Sequence, residues 1–218
     1  MAKDPEIASL GDACCGCGAC AAGCPRSCIS MWPDACGFPR PEVDPGACVG
    51  CARCDSVCPV LGERGEDGIE SVCWAKSRDE GERLASSSGG LFALLAHGVL
   101  AEGGVVAGAA WDGGCRRVRH VLVEDEGGLD AVMRSKYVQS SVGREVYEGV
   151  RSALRAGRRA LFSGTACQVA GMRAYLGGFP MARASSPWTS SATASPRPCS
   201  GRGGPATRSG PRARRYPP

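Results

Sequence analysis

From Ile69 onward the apolar residues switch repeatedly between a two-residue and a helical period, the pattern of an α/β unit. Residues 72–75 are a short strand candidate. Residues 90–102 place Leu91, Leu94, Leu95, Gly98 and Val99 at helical spacing, which predicts a helix with one apolar face. Residues 105–111 and 118–123 are predicted as strands. Residues 143–156 form an amphipathic helix whose stripe is Val142, Val146, Val150 and Leu154. A strand at 160–162 then runs into Ser163-Gly164-Thr165, and helix resumes over 168–176. Upstream, residues 29–32 and 41–44 flank a turn at 34–37 and are predicted to pair within a pseudo-twofold βαβ repeat. The charged, glycine-rich stretch 62–68 separates the two regions. The expected units are therefore residues 1–62 and 69–180.

Composition changes this picture at one end. The formal charge of +4 hides an asymmetry, because residues 181–218 carry seven arginines, seven prolines and no acid. Without them, 19 basic face 22 acidic residues, a net of −3 that gives no electrostatic case for nucleic acid. The segment also lacks Val, Leu, Ile and Phe, so it cannot bury enough apolar surface to offset its ordering entropy. It is expected to be a disordered basic tail. The longest apolar candidate, residues 91–110, is broken by His97, Glu102 and four glycines and does not read as a membrane span.

The chain holds 15 cysteines, and eight of them repeat one spacing. Cys14, Cys17, Cys20 and Cys24 precede Pro25; Cys48, Cys51, Cys54 and Cys58 precede Pro59. Both runs read C-x2-C-x2-C-x3-C-P, the two-cluster bacterial ferredoxin arrangement, in which the fourth cysteine ligates the other cube. The expected ligand sets are crossed: Cys14, Cys17, Cys20 and Cys58 on one 4Fe–4S cluster, Cys48, Cys51, Cys54 and Cys24 on the other. A disulfide scaffold needs an oxidising compartment, and residues 1–10 contain no signal-peptide core. Zinc suits single C-x2-C pairs but not a third cysteine at equal spacing and a fourth before proline. Cys15, Cys28 and Cys36 lie outside the repeat and are expected as buried free thiols, in keeping with a reducing cytoplasm.

Three loops carry a second chemistry. Ser86-Ser87-Ser88-Gly89-Gly90 opens a predicted helix, where small residues let backbone N–H groups approach an anion. Ser163-Gly164-Thr165-Ala166-Cys167-Gln168 repeats the arrangement after a strand. Ser135-Lys136-Tyr137-Val138-Gln139-Ser140 adds a cation, a phenol and an amide. Together they favour a phosphate-bearing cofactor, although neither a G-x-G-x-x-G fingerprint nor a Walker lysine is present. Cys167 at a helix start is either a thiolate of lowered pKa or a buried thiol. His97 and His120 are expected to be structural or exposed.

The order of these pieces resembles the beta subunit family of coenzyme F(420) hydrogenase/dehydrogenase and its ferredoxin-fused relatives. The residues that carry the likeness are the double cysteine run, ASSSGGLFALL (85–95), GGVVAGAAWD (103–112), RSKYVQS (134–140) and LFSGTACQVAG (161–171). The resemblance implies an α+β ferredoxin-like dicluster domain followed by an incomplete α/β flavin-type domain. It implies FAD exchanging a hydride with a deazaflavin or an unknown acceptor, while two 4Fe–4S clusters pass single electrons to a redox partner protein. The alternative function is a dicluster electron carrier without its own catalysis. The flavin role carries over to Ser88, Gly89, Gly90, Ser135, Lys136, Tyr137, Gln139, Ser163, Gly164, Thr165 and Gln168. One departure is Ala166, where the family has proline.

The other departure is the ending. Family members continue well past residue 180 through an apolar strand into Asp-Leu-Val-Cys-His-Gly-Val-Pro. Here Trp188 and Thr189 must be encoded TGG-ACN, which read from the third base gives aspartate. Ser190 through Pro196 are compatible in turn with the rest of that motif. Residues from about 179 onward are therefore expected to be a frameshifted tail.

Overall fold

The structure, a computed structural model, describes residues 4–62 and 74–177. Residues 63–68 of the linker, the first two residues of the 72–75 strand candidate and the basic tail lie outside the described residues. Trp74 and Ala75 belong to no strand.

In the first unit two helices flank a hairpin. Helix α1 (Ala19–Gly23) follows the first cysteine loop and α2 (Arg53–Ser56) follows the second. Between them β1 (Ile29–Pro33) pairs antiparallel with β2 (Pro39–Val43), from Ile29 opposite Val43 to Pro33 opposite Pro39. The Asp34 carboxylate fixes the turn by accepting from the Cys36 and Phe38 N–H groups, both at 2.9 Å. The unit's internal repeat is therefore helix–strand then strand–helix, not the expected βαβ. Each cysteine run is too short between its third and fourth cysteine for anything but a single helical turn.

The second unit is a four-stranded mixed sheet of order β5-β4-β3-β6. Strands β3 (Val105–Trp111) and β4 (Val118–Val123) are antiparallel, and β5 (Ser140–Ser141) and β6 (Ala160–Phe162) run parallel to β4 and β3. Helices α3 (Glu80–Ala85) and α4 (Leu91–Ala101) precede the sheet. Helix α5 (Glu126–Val132) follows β4, α6 (Arg144–Arg155) follows β5 and α7 (Ala166–Leu176) follows β6.

Two-residue alternation decides which strand residues meet which helices. Val106 and Ala110 of β3, Val121 and Val123 of β4 and Leu161 of β6 pack with α4 and α5. Ala107, Leu122, Ala160 and Phe162 face α6. Glycines permit both close approaches: a Cβ on Gly108 would lie 2.9 Å from Val132 Cβ, and one on Gly149 would strike the Leu122 side chain.

The α6 side of the sheet also receives the cysteine unit. Cys17, Ala19, Ala22 and Val57 share one buried cluster with Val142, Val146, Tyr147, Val150, Met172, Tyr175 and Leu176. Burying Val146 and Val150 contributes about 1.5–3 kcal/mol each. Polar bonds fix the contact: Tyr147 donates its hydroxyl to the Cys17 carbonyl at 2.9 Å, and the Arg144 guanidinium donates to the carbonyls of Ala21 and Cys24. Among the described residues no helix is long and apolar enough to cross a membrane.

Candidate functional site

The two cysteine runs adopt the same backbone course. Gly16 and Gly50, each just before the second cysteine of its run, have φ of 67° and 65°. Gly18 and Ala52, just after it, have φ of 81° and 55°. These left-handed steps curl each loop so that successive thiols face a common centre.

Two small cavities of about 10 Å³ each receive the thiols. Cys14, Cys17, Cys20 and Cys58 line the first; Cys24, Cys48, Cys51 and Cys54 line the second. Cys20 on α1 and Cys24, the extended residue that ends it, are four positions apart and face different cavities. Apolar residues close the rest: Ile7, Met31 and Val60 in the first, Pro5 and Ile29 in the second. Ile7 is anchored by its N–H, which donates to the Asp55 carboxylate at 3.0 Å.

The donor chemistry fits an iron–sulfur cube. Among the described residues no three His, Cys, Asp or Glu side chains converge tightly enough to hold a single ion. The four cysteines of each expected set line one cavity. Burial pushes the free Cys20 thiol up to about 12 and Cys54 up to about 11, so a cluster must displace their protons. Burial acts the same way on Cys24, but N–H groups of Cys28, Arg26 and Ser27 and the Cys28 thiol outweigh it and hold Cys24 below the usual range. N–H donors to sulfur are what a ligating thiolate requires. Gly16 N–H likewise reaches Cys14 Sγ at 3.4 Å.

A third, far larger cleft of about 910 Å³ lies where α4, α7 and the 133–140 loop converge. All of Ser88, Gly89, Gly90, Ser135, Lys136, Tyr137, Gln139, Ser163, Gly164, Thr165 and Gln168 line it. Gly90 caps α4 with φ 80°, a left-handed step that leaves no side chain over the first-turn N–H groups. Gly89 packs against backbone, where a Cβ would lie 2.7 Å from the Ala75 carbonyl oxygen. The serine loop and the 133–140 loop are tied together, as the Ser135 N–H donates to Ser87 Oγ at 2.7 Å and Arg134 Nε to the Ala85 carbonyl at 2.9 Å.

The lining residues divide by what their polar atoms already bind. Gln168, 3% exposed, accepts from the Thr165 N–H at 2.9 Å and donates to the Ser140 carbonyl and hydroxyl, both at 3.0 Å. With Thr165 it forms a capping box on α7 and shapes the wall. Lys136 donates to the carbonyls of Ala131 and Met133 at the end of α5, and burial lowers its pKa. Tyr137, by contrast, is 78% exposed at the rim.

Sequence reasoning missed His120, Arg134, Phe92 and Cys15 in this lining. His120 is 1% exposed, stacks on Phe162 and lies 2.9 Å from the Ser163 carbonyl through Nε2. Burial holds its pKa below the ordinary value, so the neutral ring donates from Nε2. Its position on β4, two residues from Leu122, was the available signal. His97 is half-exposed and pairs with Glu126 at 2.6 Å.

The outlying thiols separate. Cys28 is buried beside the second cavity, with Cys24 Sγ at 3.4 Å, whereas Cys36 is exposed on the hairpin turn. Cys36 thus departs from the expectation, because the tight turn gives it nothing to pack against. Cys15 lines both the first cavity and the cleft. Cys167 is raised, not lowered: its hydrogen bond with Cys15 and then burial outweigh help from Thr165 and the helix N-terminus.

Residues 13–61 match the family described as 4Fe-4S dicluster domain. This part of the chain is therefore a dicluster domain, a type that suggests electron transfer. No curated protein matches the chain.

Proposed function

We propose that the chain is an iron–sulfur flavoprotein oxidoreductase that moves electrons between a cofactor in the 910 Å³ cleft and two 4Fe–4S clusters. The observation that carries the reading is the shared wall: Cys15 borders both the cleft and the first cluster cavity. Cys14, Cys17, Cys20 and Cys58 would hold one cluster, and Cys24, Cys48, Cys51 and Cys54 the other. When bound, a flavin supplies two-electron exchange with an organic donor or acceptor and single-electron exchange with iron–sulfur.

The protein's own contribution is positioning. The N-terminus of α4, which no side chain caps, offers backbone N–H groups and a positive dipole end to a phosphate, and α7 points its capped N-terminus at the same cleft. Ser88 and Ser163 supply hydroxyls, while Gly89, Gly90 and Gly164 allow close approach. Gln168, Lys136 and His120 hold the loops. The adjacent cavities favour stepwise passage of electrons to a partner protein, and reduced thiols suit a cytoplasmic setting. The likeness to the coenzyme F(420) hydrogenase/dehydrogenase beta subunit makes a deazaflavin a candidate acceptor, and the out-of-frame origin of the tail remains part of this reading. Resequencing across codons 170–200 tests the latter.

The deciding experiment is a visible spectrum of anaerobically purified protein with iron, acid-labile sulfide and flavin assays. Flavin bands over a broad iron–sulfur absorption are expected. The broad absorption alone would favour the dicluster electron carrier; zinc without iron or sulfide would end both.

A further inference from the structure

The eight cysteines of the two expected ligand sets are unequally covered. Cys17, Cys20, Cys24, Cys54 and Cys58 are buried, Cys14 and Cys48 are half-buried, and Cys51 alone is exposed. The second cavity, which Cys51 lines, is walled only by residues of the cysteine unit. The first abuts the sheet unit instead. Cys15 borders both it and the cleft, and a Cβ on Gly171 of α7 would lie 3.0 Å from Cys17 Sγ. One cluster site therefore adjoins the cleft, and the other reaches solvent.

The surface around Cys51 is apolar and short of charge. Val49 is 57% exposed, and Ala52 and Pro25 are exposed with it. Arg26 is the one charged residue lining the second cavity; it is exposed, and no carboxylate among the described residues pairs with it. A small apolar patch with a cation at its edge, set over a cluster ligand, suits a brief encounter and not a permanent interface.

We propose that Val49, Cys51, Ala52 and Arg26 form the port at which an acidic one-electron carrier protein docks and exchanges electrons with the second cluster. The carrier brings a carboxylate to Arg26 and lays apolar surface on Val49. One electron crosses in each encounter: the carrier's centre is oxidised as the second cluster is reduced, or the reverse, and no bond is made or broken. The first cluster and the cleft lie further in. Because the cation stands at the rim, its attraction sets the encounter rate and weakens with salt. This inference rests on the cluster reading and does not need the flavin.

The test uses full-length protein purified anaerobically, with iron assayed first, and a plant-type [2Fe–2S] ferredoxin as the acidic carrier. Titration calorimetry measures binding of the oxidised ferredoxin, and stopped-flow absorbance follows reduction of the clusters by the reduced one. Arg26→Glu and Val49→Asp should each weaken binding and slow that reduction roughly tenfold at low salt, with iron content and reduction by dithionite unchanged. Arg116→Glu, the same charge change on the exposed turn between β3 and β4, should do neither. For cytochrome c, a basic carrier, Arg26→Glu should tighten binding. Iron-loaded protein that does not bind ferredoxin, port variants that bind it as the wild type does, or an equal loss in Arg116→Glu overturns the proposal. If one port variant loses iron, the other decides. Protein that carries no iron overturns the cluster reading and the port with it, an outcome the iron assay tells apart.

Discussion

Gly18 and Ala52 hold the same left-handed turn at equivalent places in the two cysteine runs, with φ of 81° and 55°. Only one of them is glycine. An alanine in that region costs roughly 1–2 kcal/mol, partly offset by the lower entropy of its unfolded chain. Ala52→Gly should therefore raise stability by up to about 1 kcal/mol in denaturant titrations. The reverse change at the other site is far worse, since a Cβ on Gly18 would sit 2.7 Å from the Val142 carbonyl oxygen. Gly18→Ala should cost at least about 2 kcal/mol and lower iron incorporation.

Gly171 separates the fates of the two clusters. Gly171→Val places a branched side chain against Cys17 Sγ and Ala19 Cβ, only 3.0 and 3.1 Å from where its Cβ would stand. The second cavity shares no wall with this helix. Iron and sulfide should fall to about half, with an overpacking cost of about 1–3 kcal/mol. Full iron content in a folded variant would contradict the cavity assignment.

The lowered pKa of His120 fixes a pH dependence. The folded protein keeps the ring neutral, whereas the unfolded chain protonates near the ordinary value of 6.5. Its contribution is complete above about 6.5 and is lost progressively as pH falls toward the lower folded value. Urea midpoints should decline from about pH 7.5 to about pH 5.5, and His120→Phe should flatten that slope. An unchanged slope would show that His120 is protonated in the fold.

Gln168 and Gly89 should fail in different ways. Gln168→Ala removes three hydrogen bonds from a buried wall and should cost about 2–4 kcal/mol at roughly 1 kcal/mol per bond plus an orphaned donor. Gly89→Val should leave iron unchanged yet weaken flavin at least tenfold, about 1.4 kcal/mol, because its Cβ would stand 2.7 Å from the Ala75 carbonyl oxygen and push the serine–glycine loop out of place. Fluorimetric flavin counts beside iron assays separate the two effects.

Strands β3, β4 and β6 were legible to the residue because their apolar alternation is local. Helix α5 was not: Gly127 and Gly128 dilute its propensity, and its start depends on the Asp125 carboxylate accepting from Gly128 N–H at 3.0 Å. Helix α3 begins with the same device at Asp79 and buries no residue, so no apolar stripe marks it. Strand β5 has two residues and exists through pairing with Val118 and Arg119, which is a tertiary fact. The cysteine runs announced their chemistry because spacing and residue type suffice, and the hydroxyl–glycine loops could be placed at helix starts but not brought to one cleft. That His120 lies against the Ser163 carbonyl, and that Cys15 borders both the first cavity and the cleft, depends on how the strands, helices and cysteine unit stack.

The bonds from Tyr147 and Arg144 into the first cysteine loop make the two units one solid piece. The same loop shares a buried apolar cluster with α6 and α7, so side chains and not the connecting chain alone hold it against the sheet. On the proposed reading, the gap an electron crosses between cleft and first cavity is set once, when the chain folds.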